Sequence, residues 1–442
     1  MKEVISKVKA LARNQTARGT AVVTAGILLG TFFSYLLQVG LGRLLSIEDF
    51  GTFNALLSLS TVLWVPASAI SVALIKKVSE LLAQKDFYTL KNLFWSFSKT
   101  SLAAGTMLSV IFILLHKPVA AYFNISQVQT VFAFSAFLTV SFVSMAPQSY
   151  LQGLLRFKAF SFFTAISQLL RLVVPILMVY AGFAVSGVYL GLAVVAVLSY
   201  TTSLPLLHKN LREGIAPTAR SIKPNVEEVH KQILRFSTPV LLISLGTSLL
   251  NNADVVLAKH FLSPFDAGIY AGVVTMSKVF LFGAGIVQTV MFPQVAHLFV
   301  TKGDYTTRFK YFLFLQILLI VVGVVCYILF PVLINNILFS GKFYHSVKYL
   351  PIFSLFTAMY VLISFLSTFL LAINKTKAYL VILPMCAIQY LAINVYHGSI
   401  SAFINVNIVA TALACFSIAL YVVKSLHEGV GNHTHLYAGK DH

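Results

Sequence analysis

Gly42-Arg43-Leu44-Leu45-Ser46-Ile47-Glu48-Asp49-Phe50-Gly51-Thr52-Phe53 returns, with one inserted residue, as Ala258-Lys259-His260-Phe261-Leu262-Ser263-Pro264-Phe265-Asp266-Ala267-Gly268-Ile269-Tyr270 about 217 residues further on. At nearly the same offset Lys85-Asp86-Phe87-Tyr88-Thr89 matches Gly303-Asp304-Tyr305-Thr306-Thr307. Arg156-Phe157-Lys158-Ala159-Phe160 likewise matches Lys375-Thr376-Lys377-Ala378-Tyr379. Three matches in register mark an internal duplication. Between them run apolar stretches of about 20 residues, the length that crosses a bilayer as a helix.

Composition sets the class. Of 442 residues, 58% are hydrophobic and 10% charged, with a mean hydropathy of +0.87, a balance that soluble globular chains do not reach. The expectation is an all-α polytopic membrane protein with about 12 transmembrane helices, in two six-helix lobes related by a parallel repeat. Spans are expected near 20–41, 53–75, 93–115, 128–151, 159–181 and 184–207. A second set follows near 236–258, 267–292, 310–333, 348–372, 378–397 and 400–423. Six spans per copy put both copies in the membrane the same way up, related by an axis along the membrane normal.

The expected organisation is a cytoplasmic amphipathic segment (1–19), an N-lobe (20–207), a cytoplasmic linker (208–235), a C-lobe (236–423) and a cytoplasmic tail (424–442). In the first of these, Val4, Ile5, Val8, Leu11 and Ala12 share a helical face among Lys2, Lys7, Lys9 and Arg13, which suits an interfacial helix. Lys and Arg fall overwhelmingly on the side of the N-terminus, the outside exceptions being Arg43, Lys117, Lys259, Lys342 and Lys348. Both termini are therefore expected in the cytoplasm. The formal charge of +19 is a topology signal, not a nucleic-acid footprint. Cys326, Cys386 and Cys415 lie in apolar runs without paired or CxxC spacing, so neither a disulfide frame nor a metal site is inferred.

Charges inside the spans are the functional candidates, because a mid-bilayer charge costs at least about 2.5–3.5 kcal/mol and normally faces a partner or a water-filled path. In the fifth span Ser161, Thr164, Gln168 and Arg171 recur at helical spacing, giving one polar, cationic face. The alternative for Arg171 is a pairing with Asp254 or a reach to the interface. Lys278 sits about eleven residues into the eighth span, too deep to snorkel with ease. The seventh carries Ser244, Thr247, Ser248, Asn251, Asn252 and Asp254, where interhelical hydrogen bonding competes with a role for Asp254 as counter-ion or coupling-ion site. Arg18, Arg43 and Lys259 stand near span ends, as pyrophosphate contacts or as ordinary interfacial anchors.

Leu45-Ser46-Ile47-Glu48-Asp49-Phe50-Gly51-Thr52-Phe53, Tyr150-Leu151-Gln152-Gly153-Leu154-Leu155-Arg156-Phe157, Asn252-Ala253-Asp254-Val255-Val256-Leu257-Ala258-Lys259, Asp266-Ala267-Gly268-Ile269-Tyr270-Ala271 and Phe292-Pro293-Gln294-Val295-Ala296 together resemble polysaccharide-biosynthesis flippases. These belong to the multidrug/oligosaccharidyl-lipid/polysaccharide exporter superfamily. The resemblance covers residues 15–425 in order and spacing. It implies transfer of a polyprenyl-pyrophosphate-linked oligosaccharide, such as an O-antigen, capsule or exopolysaccharide repeat unit, from the inner to the outer leaflet of a bacterial or archaeal cytoplasmic membrane. Its implied partners are the lipid-linked oligosaccharide, membrane lipids and the polysaccharide polymerase and chain-length machinery, with no nucleic acid. No cofactor is expected; coupling to the membrane potential, a proton or sodium stays open. The rivals are a drug or small-solute antiporter of the same superfamily and, further off, a membrane-embedded polymerase or glycosyltransferase. The short outside loops hold no paired acids beyond Glu48-Asp49, which argues against an enzyme.

Overall fold

A computed structural model describes residues 15–212 and 226–437. Most of the expected amphipathic segment, the middle of the expected linker and the last residues of the tail lie outside the described residues. Among the described residues there is no strand. The helices are α1 (Gln15–Leu44), α2 (Ile47–Ala83), α3 (Phe87–Leu114), α4 (His116–Tyr122), α5 (Gln129–Gly153), α6 (Phe157–Tyr180) and α7 (Ala184–Arg212). They continue with α8 (Val226–Phe261), α9 (Pro264–Val300), α10 (Tyr305–Leu329), α11 (Pro331–Phe339), α12 (Leu350–Ala372), α13 (Tyr379–Val395) and α14 (Ile400–Tyr437). Eleven of the described helical stretches are long and apolar enough to cross a membrane. The remaining expected span, 20–41, falls inside the 30-residue α1.

The short α4 and α11 were not expected. The span expected at 310–333 ends at Leu329, because Pro331 opens a new helix at its first turn, where a missing N–H costs nothing. Helix α7 also runs on to Arg212, and α8 begins at Val226, so both ends of the expected linker are helical.

The duplication is visible in local hydrogen bonding. Ser46 Oγ accepts from the Asp49 N–H at 3.0 Å, and Ser263 Oγ from the Asp266 N–H at 3.1 Å. Asp86 accepts from the Thr89 N–H at 3.0 Å, and Asp304 from the Thr307 N–H at 2.9 Å. Each of these caps a helix start that lacks intrahelical partners. Helix ends repeat too. Lys85 and Lys302 take left-handed φ values of 56° and 55°, as do Leu155 and Asn374 at 56° and 57°. Each sits in the same pair of crossed backbone bonds, such as Lys85 N–H to Leu82 O with Asp86 N–H to Leu81 O, and Lys302 N–H to Phe299 O with Gly303 N–H to Leu298 O. This is a Schellman ending.

The chain forms two compact units. One comprises residues 1–45 and 66–238, the other residues 46–65 and 239–442. The expected N-lobe, 20–207, thus gives up residues 46–65 to the second unit. In the first unit α5 packs on α3 and α7, α1 on α6, and α6 on α7. In the second, α12 packs on α10 and α14, and α13 on α14, which is the same pattern one repeat later. Small residues set these approaches: a Cβ on Gly30 would lie 3.1 Å from Gln168 Cγ, and one on Gly246 would lie 2.7 Å from Ile382 Cγ2. Aromatic stacking fills the second unit, with Phe309 and Phe369 at 3.8 Å between ring centroids.

Residues 46–65 belong to the second unit because their first turns are packed there. The Phe50 ring lies 5.7 Å from that of Phe339 and 5.2 Å from that of Phe343. A Cβ on Gly268 would stand 2.1 Å from the Ile47 carbonyl oxygen. Nothing lies within 4 Å of a Cβ on Gly283, in the same helix. Gly268→Ala should therefore push α2 from α9 and destabilise by about 1–3 kcal/mol, whereas Gly283→Ala should be neutral or stabilise by up to about 1 kcal/mol. Thermal midpoints in detergent check both; equal midpoints would show that this glycine contact is not needed.

Candidate functional site

In the second unit the polar groups converge on Asp254 of α8. Its side chain is 0% exposed. Oδ2 accepts from the hydroxyl of Tyr270 on α9 and from Asn407 Nδ2 on α14 at 3.3 Å. Asn407 Nδ2 also donates to the Tyr270 hydroxyl at 2.8 Å. Gln389 on α13 donates through Nε2 to Asn407 Oδ1 at 2.7 Å and to the Leu250 carbonyl at 3.2 Å. Four helices are tied to one carboxylate. The other oxygen, Oδ1, is buried with no partner, as is Thr411 Oγ1 one turn beyond Asn407 on α14. The half-buried Lys278 of α9 is the cation whose field acts on Asp254.

The chemistry of that cluster is specific. A buried carboxylate that keeps one oxygen unpartnered is costly unless it takes up a proton or a cation. Hydroxyl and amide oxygens suit a small hard cation, and an unpartnered oxygen suits a proton equally.

In the first unit, α6 presents the expected face. Ser34 Oγ on α1 donates to Gln168 Oε1 at 3.2 Å, and Ser199 Oγ on α7 to Ser167 Oγ at 3.1 Å. Arg171 is half-buried, and the group with which it interacts electrostatically is Tyr189 of α7. Tyr189 itself is fully buried, edge-on to Phe134 at 5.1 Å. Gln168 is therefore committed to packing α1 on α6, while Arg171 is the charge on that face.

The remaining candidates separate. Asn251 is half-buried on α8, and its neighbour Asn252 is spent on the Ser248 carbonyl at 2.9 Å. Arg43 is exposed at the end of α1. Lys259, read from sequence as a rim cation for phosphate, is only 2% exposed, and the acids whose charge bears on it are Asp49 and then Glu48. The Arg18 side chain lies outside the described residues.

Sequence reasoning missed Tyr270, Gln389 and Asn407 as members of the site. Tyr270 stands inside the repeated motif, where the sequence marks it only as part of the family pattern. Gln389 and Asn407 are polar amides isolated in the last two apolar runs, and a polar residue in such a run was itself the signal.

The fold is shared with known proteins. An inward-facing multidrug resistance MATE family transporter of the MOP superfamily superposes with a TM-score of 0.68 at 13% identity, covering 89% of this chain and 95% of that one. The lipid II flippase MurJ in an inward closed conformation gives 0.65 at 16% identity, over 91% and 87%. A MOP superfamily transporter from Pyrococcus furiosus Vc1, whose binding pocket is described as having reverse polarity that suggests a different function, gives 0.58 at 13% identity, over 93% and 97%. No curated protein matches the chain by sequence. The family model for polysaccharide biosynthesis proteins matches residues 16–299, well over half of the chain. With a helical fold shared with these transporter structures and that match, the chain belongs to the polysaccharide biosynthesis protein family.

Proposed function

We propose that the protein is a flippase that carries the head group of a polyprenyl-pyrophosphate-linked oligosaccharide from the inner to the outer leaflet by alternating access, both termini lying in the cytoplasm. The lipid tail stays in hydrocarbon. The observation that carries the reading is the family match combined with two half-buried cations in membrane spans, Arg171 and Lys278. A diphosphate needs such charges: guanidinium binds it as a fork, ammonium as a point charge. The reversed pocket polarity described for one structural relative supports the idea that this fold carries pockets of different sign. The substrate class proposed here includes O-antigen, capsule and exopolysaccharide units, handed on to polymerase and chain-length machinery. No covalent chemistry is assigned to the chain itself.

Energy can come from the membrane. Two negative charges moving outward across an inside-negative potential release about 5 kcal/mol per 100 mV, at about 2.3 kcal/mol per charge. The Asp254 cluster adds a coupling-ion site, for a proton on Oδ1 or sodium among Oδ1 and neighbouring hydroxyls. That buried acid is also the observation that favours the second reading, a cation-coupled drug or small-solute antiporter.

Deleting the gene in its host and assigning lipid-linked oligosaccharides to a leaflet, with an impermeant probe on oriented vesicles, separates the two readings. Accumulation on the cytoplasmic face supports the flippase; unchanged lipid-linked sugars with intact surface polysaccharide support the antiporter. Arg171→Ala and Lys278→Ala should each slow translocation at least about tenfold, a loss of about 1.4 kcal/mol of differential stabilisation, while Arg171→Lys and Lys278→Arg retain part of the rate. Normal insertion with parental transport rates in both alanine variants would sink the cationic path. Asp254→Asn should remove dependence on the coupling ion while leaving the fold intact. Asn407→Ala, which strips donors from Asp254 and Tyr270 and an acceptor from Gln389, should lower stability by about 1–3 kcal/mol in a detergent melt.

A further inference from the structure

Lys259 poses a problem that the flippase reading does not absorb. A lysine at a helix end has every opportunity to snorkel into water, yet this one is 2% exposed. Its acids, Asp49 and Glu48, lie in the first turn of α2. Nearby Lys342 is held below the usual lysine value by burial, with Glu48 pulling in the opposite sense. Cations and acids are balanced here, so the cluster is not an anion site. It is a fastening.

The rest of that turn is fastened as well. Gly51 meets Gly268, where a Cβ on Gly51 would lie 2.9 Å from the Gly268 backbone. Phe50 enters the Phe339–Phe343 pair, whose rings are 4.7 Å apart. One turn deeper, the Thr275 hydroxyl meets Asn54 Oδ1 at 3.3 Å. The second half of the same helix makes its own contacts elsewhere: Ser71 Oγ with Ser149 Oγ, and Ser79 Oγ to the Gly153 carbonyl at 2.8 Å. One continuous helix of 37 residues therefore belongs to two compact units, and the change of allegiance falls between Val65 and Pro66. Proline in a helix interior lacks an N–H and clashes with the carbonyl four residues back, which makes it the favoured point of bending.

We propose that residues 46–65 form a detachable latch, hinged at Pro66: in the conformation described here Lys259, Gly268, Thr275 and the Phe339–Phe343 pair hold it on α8 and α9, and it leaves them when the transporter opens outward. The inference deepens the alternating-access reading and rests on it for the direction of opening. The second half of α2, residues 66–83, keeps its partners throughout.

Two halves of one helix make the test internally controlled. In a background with Cys326, Cys386 and Cys415 replaced by alanine, Asn54→Cys with Thr275→Cys should form a disulfide that lowers transport at least tenfold and is reversed by dithiothreitol. Ser71→Cys with Ser149→Cys should cross-link and leave transport within twofold. Full cross-linking of the first pair with an unchanged rate overturns the latch. A readout free of any substrate uses single cysteines at two equally buried sites, Asn54 at 1% and Ser149 at 2% exposure. An impermeant maleimide should label Asn54→Cys to completion over minutes and leave Ser149→Cys unlabelled. Equal resistance at both positions overturns the latch whatever the cargo is. Labelling of Asn54→Cys in a protein whose deletion leaves lipid-linked sugars unchanged supports the latch and removes the flippase reading alone.

Discussion

Hydrocarbon offers no hydrogen bonds, and that constraint governs every level of this protein. A backbone crossing lipid must satisfy its own N–H and C=O groups, which leaves the helix as the element of choice. Where helices end, the same demand recurs as side-chain caps at Ser46, Ser263, Asp86 and Asp304 and as Schellman closures at Lys85, Leu155, Lys302 and Asn374. Inside the second unit it recurs a third time, as the chain of donors from Gln389 through Asn407 and Tyr270 to Asp254. A carboxylate in such a place draws its own helix α8 together with α9, α13 and α14, because each partner it lacks is costly.

Function lives in the incompleteness of that satisfaction. Most polar side chains in the spans are spent locally, like Thr247 on the Ile243 carbonyl and Ser135 on the Val131 carbonyl. Asp254 Oδ1 and Thr411 Oγ1 are not. Arg171 and Lys278 are cations that remain half-buried, neither fully sunk into packing nor out in water. Lys259 is their opposite, a cation only 2% exposed on which the charges of Asp49 and Glu48 of another helix bear. A side chain of the second kind suits a joint between helices.

The internal repeat explains how the joint arises. Duplication supplied two copies of the cap sequence, Ser46 to Gly51 and Ser263 to Gly268, and the two glycines now meet. Neither carries a side chain, so two helix starts approach more closely than any other pair of residues would allow. Symmetry ends there, since Arg43 is exposed while its repeat counterpart Lys259 is buried. One copy of the motif has become a seat for the other.

Membrane class, the approximate number of spans and the repeat were legible in the sequence. Apolar run length, positive charge between the runs and a recurring motif are local or near-local signals. The family too was legible, from ordered motifs spanning most of the chain. Arg171, Lys278 and Asp254 stood out as isolated charges in apolar runs, for the same local reason. Only the tertiary structure decided which helices meet, and therefore that Tyr270, Gln389 and Asn407 surround Asp254. It also decided that Lys259 is buried and that α2 is shared between two units at Pro66. Which face of a membrane helix meets a neighbour depends on packing between residues far apart in the chain, and lipid and protein interiors are equally apolar, so hydropathy alone does not distinguish them.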